Sequence, residues 1–192
     1  MTEVSFGSDG DFSHKAMIQK VNSNLANELG NLCQRTLSMV FKNCNQAIPT
    51  DIGPYTPQDE ALLAEAATLR ERCSDFMSVQ AIHKYAQTMI GMVRDANKYI
   101  DEQAPWVLRK TDPKRMETVL YVILEVLRRV AILYQPILPS SANKILDQLQ
   151  VPETERTFAH LDTSPILQGA SITKPEGIFP RIEMPEDMLV EA

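Results

Sequence analysis

Asn31 and Arg35 stand four residues apart, about one helical turn, and Trp106 follows Pro105 directly with Lys98, Arg109 and Lys110 nearby in the chain. An asparagine amide both donates and accepts, an arginine donates from a rigid planar fork, and an indole offers a flat face. Together they can read and stack a splayed single-stranded base. Stacking on such a platform contributes roughly 1–3 kcal/mol per base. Lys42, eleven residues beyond Asn31, returns to nearly the same helical azimuth and extends the set. The same residues also have a purely structural use. A lone tryptophan at a helix end anchors a corner and finds one partner for its N–H, and a row of asparagines can be consumed by hydrogen bonds between helices. Both readings stay open, because sequence alone does not put the helix bearing Asn31 beside the one that ends at Pro105.

Other chemistries find no support. His14, His83 and His160 are isolated and fall in no nucleophile, metal-ligand or phosphate-loop pattern. Cys33, Cys44 and Cys73 are odd in number and widely spaced, which suggests neither a disulfide framework nor a zinc site. The glycines of GSDGD lack the spacing and the strand-to-helix setting of a phosphate loop. No catalytic residue and no metal site is therefore assigned. No run approaches the roughly 18 continuous apolar residues of a membrane span, and the first residues do not read as a targeting signal.

The elements that must hold these side chains read as helices. Ser13 caps a helix from His14, with Ile18, Val21, Leu25, Leu29 and Leu32 on one stripe and Asn24, Asn27, Asn31 and Arg35 in a polar row on the other side. Thr56-Pro57 starts a second helix expected to reach about Met77, with Leu62, Leu63, Ala66 and Leu69 facing inward. Ser78 is read as the cap of a third, which runs to Pro105 and delivers Trp106. Asp112-Pro113 opens a fourth that is apolar around most of its circumference and so should be central. Pro136 and Pro139 break it, and Ser140 or Ser141 opens a shorter helix. Beyond Val151 the chain is irregular, with a strand-like stretch at 178–184. The expected organisation is a lead-in at 1–12 containing a short strand at 3–6, a helical bundle at 13–150, and a tail at 151–192 packing on the bundle, its last residues mobile.

Few glycines and aromatics, with abundant Leu, Ala, Glu, Gln and Met, make the expected class all-α, an antiparallel helix bundle with an irregular C-terminal tail. A formal charge of −6 argues against nonspecific binding to phosphate backbones, since that depends on many Lys and Arg releasing counterions. Any nucleic-acid contact must be local.

The segments FGSDGDFS at 6–13, NLANELGNLCQRTLSMV at 24–40, YAQTMIGMVRDANKYIDEQAPWVLRK at 85–110, LYQPILPSSANKIL at 133–146 and IFPRIE at 178–183, taken in order, resemble the C-terminal anticodon-binding region of the methionyl-tRNA synthetases. The resemblance implies a helical bundle that binds the CAU anticodon of methionine tRNA. In it, Trp106 of the Pro105-Trp106 pair stacks on an anticodon base, and Asn31 and Arg35 contact the first base, cytosine. Lys42, Lys98, Arg109 and Lys110 would be further RNA contacts supplying a local positive field. It also implies a piece of a longer enzyme. The HIGH and KMSKS signatures of ATP-dependent methionine activation are not in these residues, so the chain alone should not aminoacylate. ATP and methionine would belong to an absent catalytic domain. The implied partners are methionine tRNA and that domain, with no membrane, in a cytoplasmic, monomeric enzyme. The alternatives are the anticodon domain of another class I synthetase and a helical protein-interaction scaffold.

Overall fold

A computed structural model describes residues 13–185. The expected lead-in, its short strand and the mobile last residues lie outside that range. Within it the architecture is all-α. The helices are α1 (His14–Lys20), α2 (Asn31–Asn43), α3 (Pro57–Ser78), α4 (Ile82–Gln103), α5 (Pro105–Thr111), α6 (Pro113–Tyr134) and α7 (Pro139–Gln148), with two single 3-10 turns in the tail.

The local start signals act as read. The Ser13 hydroxyl accepts from the Ala16 N–H, the Asp59 carboxylate accepts from the Thr56 N–H, and the Asp112 carboxylate accepts from the Arg115 N–H. Two other starts differ. Ser78 is the last residue of α3 and bonds back to the Asp75 carbonyl, while α4 begins at Ile82 after Ala81. α7 begins at Pro139 itself, whose fixed φ suits a first helical turn, with Leu138 before it.

α1 and α2 are joined by a wider, π-helical stretch, Val21–Gly30, in which the Asn31 N–H reaches back five residues to the Ala26 carbonyl. This splits the polar row expected from a uniform period. Asn24 is turned into the interior, whereas Asn27 and Asn31 stay exposed.

α6 is central. Seventeen of its residues are buried, and it packs on α2, α3, α4, α5 and α7. The Tyr85 hydroxyl on α4 bonds the Leu133 carbonyl near the end of α6, and Gln103 at the end of α4 meets Arg115 at its start. These two helices are therefore antiparallel. α3 and α4, joined by three residues, also run antiparallel. α2 runs with α4, because Glu28 meets Arg94 and Arg35 meets Asp101. The C-terminal ends of α2 and α4 and the N-terminal ends of α3 and α6 thus gather at one end of the bundle.

The tail crosses the bundle through buried Val151, Leu161, Ile166, Ile172 and Ile178. Residues 169–172 pair with 46–48 in an isolated antiparallel bridge, Ala47 to Ser171. Beneath the tail, Arg128, 1% exposed, holds Glu125 with two hydrogen bonds and donates to the carbonyls of His160 and Leu161. The stretch at 178–184 forms no strand. Its contacts are of another kind. Phe179 lies against Gly30, where an added Cβ would stand 3.4 Å from the ring, and the Asn22 amide exchanges two 2.8 Å hydrogen bonds with the Ile182 backbone.

Candidate anticodon-recognition site

Trp106 reaches the surface through a break in the helix. Pro105 excludes ordinary helical geometry from the residue before it, and Ala104 adopts a left-handed conformation, φ 44° and ψ 59°, instead of the extended one that usually results. For an alanine this costs about 1–2 kcal/mol. The chain turns and restarts as α5, a helix too short to be distinguished in the sequence from what surrounds it. Pro105 is buried at its start, while Trp106 is 45% exposed and Val107 54% exposed. Val107 adjoins the indole as a second exposed apolar side chain, and its type carries no base-reading chemistry that would mark it in the sequence.

The end of the bundle that carries α5 is held by a buried clamp. Asp59, 0% exposed, accepts from Arg115 Nη1 and Nη2 at 2.5 and 2.8 Å and from the Tyr99 hydroxyl at 2.6 Å, and Arg115 Nη2 also donates to Gln103 Oε1 at 2.6 Å. One carboxylate therefore ties the starts of α3 and α6 to the end of α4. Burial alone would raise the Asp59 carboxyl, but the bonds from Arg115, Tyr99 and the Thr56 N–H together hold it below the ordinary carboxylate range. Burial and the bond to Asp59 push the Tyr99 phenol up.

Arg35 faces α4 and not open solvent. Its Nη1 donates to Asp101 at 2.7 Å, and its Nη2 to the Asn97 carbonyl at 3.2 Å and side-chain oxygen at 2.9 Å. Asp101 is four residues before Pro105, so Arg35 sits one turn from the break that delivers Trp106. Asn31, one turn earlier on α2, is exposed. The structure thus brings the Asn31–Arg35 helix to the end of α4, the placement the sequence left open. Lys42 is exposed in the last turn of α2. Arg109 and Lys110 are exposed in the last turn of α5, where cations also suit the negative end of a helix. Lys98 is exposed but lies 3.8 Å from Glu102. Lys42, Arg109 and Lys110 form no ion pair among the described residues, so their charges are less neutralised than those of Lys98 and Arg35, which face Glu102 and Asp101.

Burial pushes the Cys33 and Cys44 thiols up to about 12 and the Cys73 thiol up to about 11, which leaves all three uncharged at neutral pH. Among the described residues no three His, Cys, Asp or Glu side chains converge to hold a metal ion. No helix among them is long and apolar enough to cross a membrane.

An exposed indole, an arginine and an asparagine thus stand towards one end of an all-α bundle. Residues 48–188 match the family model of the anticodon binding domain of methionyl tRNA ligase, and residues 1–37 match that of the class I tRNA synthetases (M). The chain belongs to the methionyl-tRNA ligase family. It is 47% identical over 181 residues to the methionine–tRNA ligase of Brucella suis, covering 94% of this chain and 35% of that protein. It is 45% identical over 187 residues to that of Rhizobium meliloti, covering 97% and 36%. The apo methionyl-tRNA synthetase of Mycobacterium tuberculosis superposes with a TM-score of 0.91 at 44% identity, over 95% of this chain and 37% of that one. The chain thus spans about a third of the length of these relatives. The family is the one that the segments at 24–40 and 85–110 resemble, and the reading as the domain of another class I synthetase falls away.

Proposed function

We propose that this chain is the part of a methionine–tRNA ligase that recognises the CAU anticodon. In this reading Trp106 stacks on one unstacked anticodon base, with Pro105 fixing the turn beneath it. Asn31 and Arg35 hydrogen-bond the first base, cytosine. Lys42, Arg109 and Lys110 approach the flanking phosphates, with Lys98 in a lesser part. The observation that carries it is a half-exposed tryptophan on the short helix that follows the end of α4, the same helix end that holds Arg35 through Asn97 and Asp101.

Recognition of this kind is equilibrium binding and needs no reacting group. Stacking accepts any base face, whereas Asn31 and Arg35 select by donor and acceptor pattern. ATP-dependent charging of methionine tRNA would then be the work of the whole ligase, with ATP and methionine bound in a catalytic domain that this chain accompanies. We place that enzyme in the cytoplasm, as a monomer.

The test is a fluorescence titration of Trp106, the sole tryptophan, with a CAU anticodon stem-loop and a control differing in the first anticodon base. Saturable quenching by CAU and much weaker quenching by the control is the expected result. Equal responses to both would overturn readout by Asn31 and Arg35. No response to either, repeated with the catalytic domain present, would favour a helical scaffold with Trp106 as a corner plug.

A further inference from the structure

We infer that Asn97 is a positioning residue for first-base readout, setting the direction in which Arg35 presents its guanidinium; the inference rests on the anticodon reading above. Asn97 lies on α4 between the two sides of a polar seam that joins α4 to the π-helical stretch and α2. Its side-chain oxygen accepts from Arg35 Nη2 at 2.9 Å, its backbone carbonyl accepts from the same nitrogen at 3.2 Å, and its amide nitrogen donates to the Glu28 carbonyl at 3.3 Å. One residue therefore braces both the last turn of the wide stretch and the arginine that follows it.

The donor inventory of Arg35 explains why this matters. A guanidinium carries five N–H groups in a fixed plane. Both on Nη2 are taken by Asn97, and one on Nη1 is taken by Asp101. Nε is buried without a partner. The remaining Nη1 N–H is the donor left for a ligand, and its direction follows from how the opposite edge of the plane is held. Arg35 needs such holding, because the π-to-α changeover just before Asn31 sets the azimuth of everything after it. Glu28 is fixed there a second time by both its carboxylate oxygens on Arg94 Nε, at 3.0 Å each. The seam thus determines where Asn31 and Arg35 face, and Asn97 is the member that touches Arg35 directly. The side chain touches Arg35 and the Glu28 backbone and not the base, its larger part in readout being exerted through Arg35, which separates it from the base-contacting residues.

The experiment compares CAU and first-base-altered stem-loops by Trp106 titration of the full chain and of Asn97→Ala, Asn97→Asp, Arg35→Ala and the double variant Asn97→Ala/Arg35→Ala. Asn97→Ala is expected to reduce the CAU-to-control affinity ratio about tenfold, the scale of one hydrogen bond to a charged group, while saturable quenching by CAU persists. Asn97→Asp keeps the acceptor for Nη2 and is expected to retain most of the ratio. In the Arg35→Ala background, Asn97→Ala should change the ratio much less than it does in the parent chain. An unchanged ratio in Asn97→Ala, or an equal loss of affinity for both loops, overturns the inference while leaving the anticodon reading intact. Absence of any ratio in the parent chain overturns that reading, and this inference with it.

Discussion

Trp106 is exposed enough that its removal should be felt by a ligand before it is felt by the fold. A fully buried tryptophan costs about 3–5 kcal/mol when truncated, but at 45% exposure much of the indole already faces solvent. Trp106→Ala is therefore expected to weaken binding of a dye-labelled CAU stem-loop by about fivefold or more, the scale of one lost stack, while thermal melting shifts by only a few degrees. A large fall in melting temperature with unchanged RNA binding would assign the residue to packing. Arg35 carries the opposite lesson about single residues. Its spacing from Asn31 marked it as a base reader, but nothing local announced Asn97 and Asp101, more than sixty positions later, as the groups that hold it.

At the scale of elements, the clamp around Asp59 keeps the starts of α3 and α6 and the end of α4 together, and so keeps α5 in place. Asp59→Asn leaves the Arg115 charge under-compensated in a buried site, and breaking such a pair costs about 3–5 kcal/mol; urea unfolding at pH 7 measures it. The pH dependence follows from the sign of the shift. A carboxyl held below its ordinary value contributes stability that is fully present above its unfolded-state pKa of about 3.9, and this is lost as pH falls through the lower folded-state value. The stability contributed by Asp59 should stay level from pH 7 to about 5 and decline below about 4. In Asp59→Asn that acid decline should be shallower.

The elements also show what was legible. Ser13, Thr56-Pro57 and Asp112-Pro113 were readable because a cap bonds within three residues of itself. The apolar girth of α6 was readable because burial on every side leaves a composition signal. Nothing in the sequence marks Asp59 as the centre of a clamp, since its partners Tyr99 and Arg115 are 40 and 56 residues away. The π-helical stretch was hidden for another reason: i→i+5 bonding has no residue-type signature, and the apolar stripe fits a regular helix too. α5 was lost in the proline break that precedes it, and the stretch at 178–184 looked like a strand although Asn22 and Gly30 were its partners.

The chain as a whole is acidic, yet the end proposed to meet RNA carries three cations with no ion pair among the described residues, Lys42, Arg109 and Lys110. Binding should consequently depend on salt only weakly. Single-stranded nucleic acid gives a slope of about −0.7 in log K against log salt for each phosphate neutralised. Three contacts predict a slope near −2, measured by repeating the stem-loop titration across a range of KCl concentrations. A slope much steeper than this would mean that binding spreads beyond the one end.

The Asn22–Ile182 bonds join positions 160 residues apart, and this has a consequence in time. A ribosome adding roughly 5–20 residues per second delivers Ile182 about 8–32 s after Asn22, whereas helices form within microseconds. The helical stretch bearing Asn22 is thus made well before the strap that fastens it, and the two are joined only after the 160 residues between them have been added.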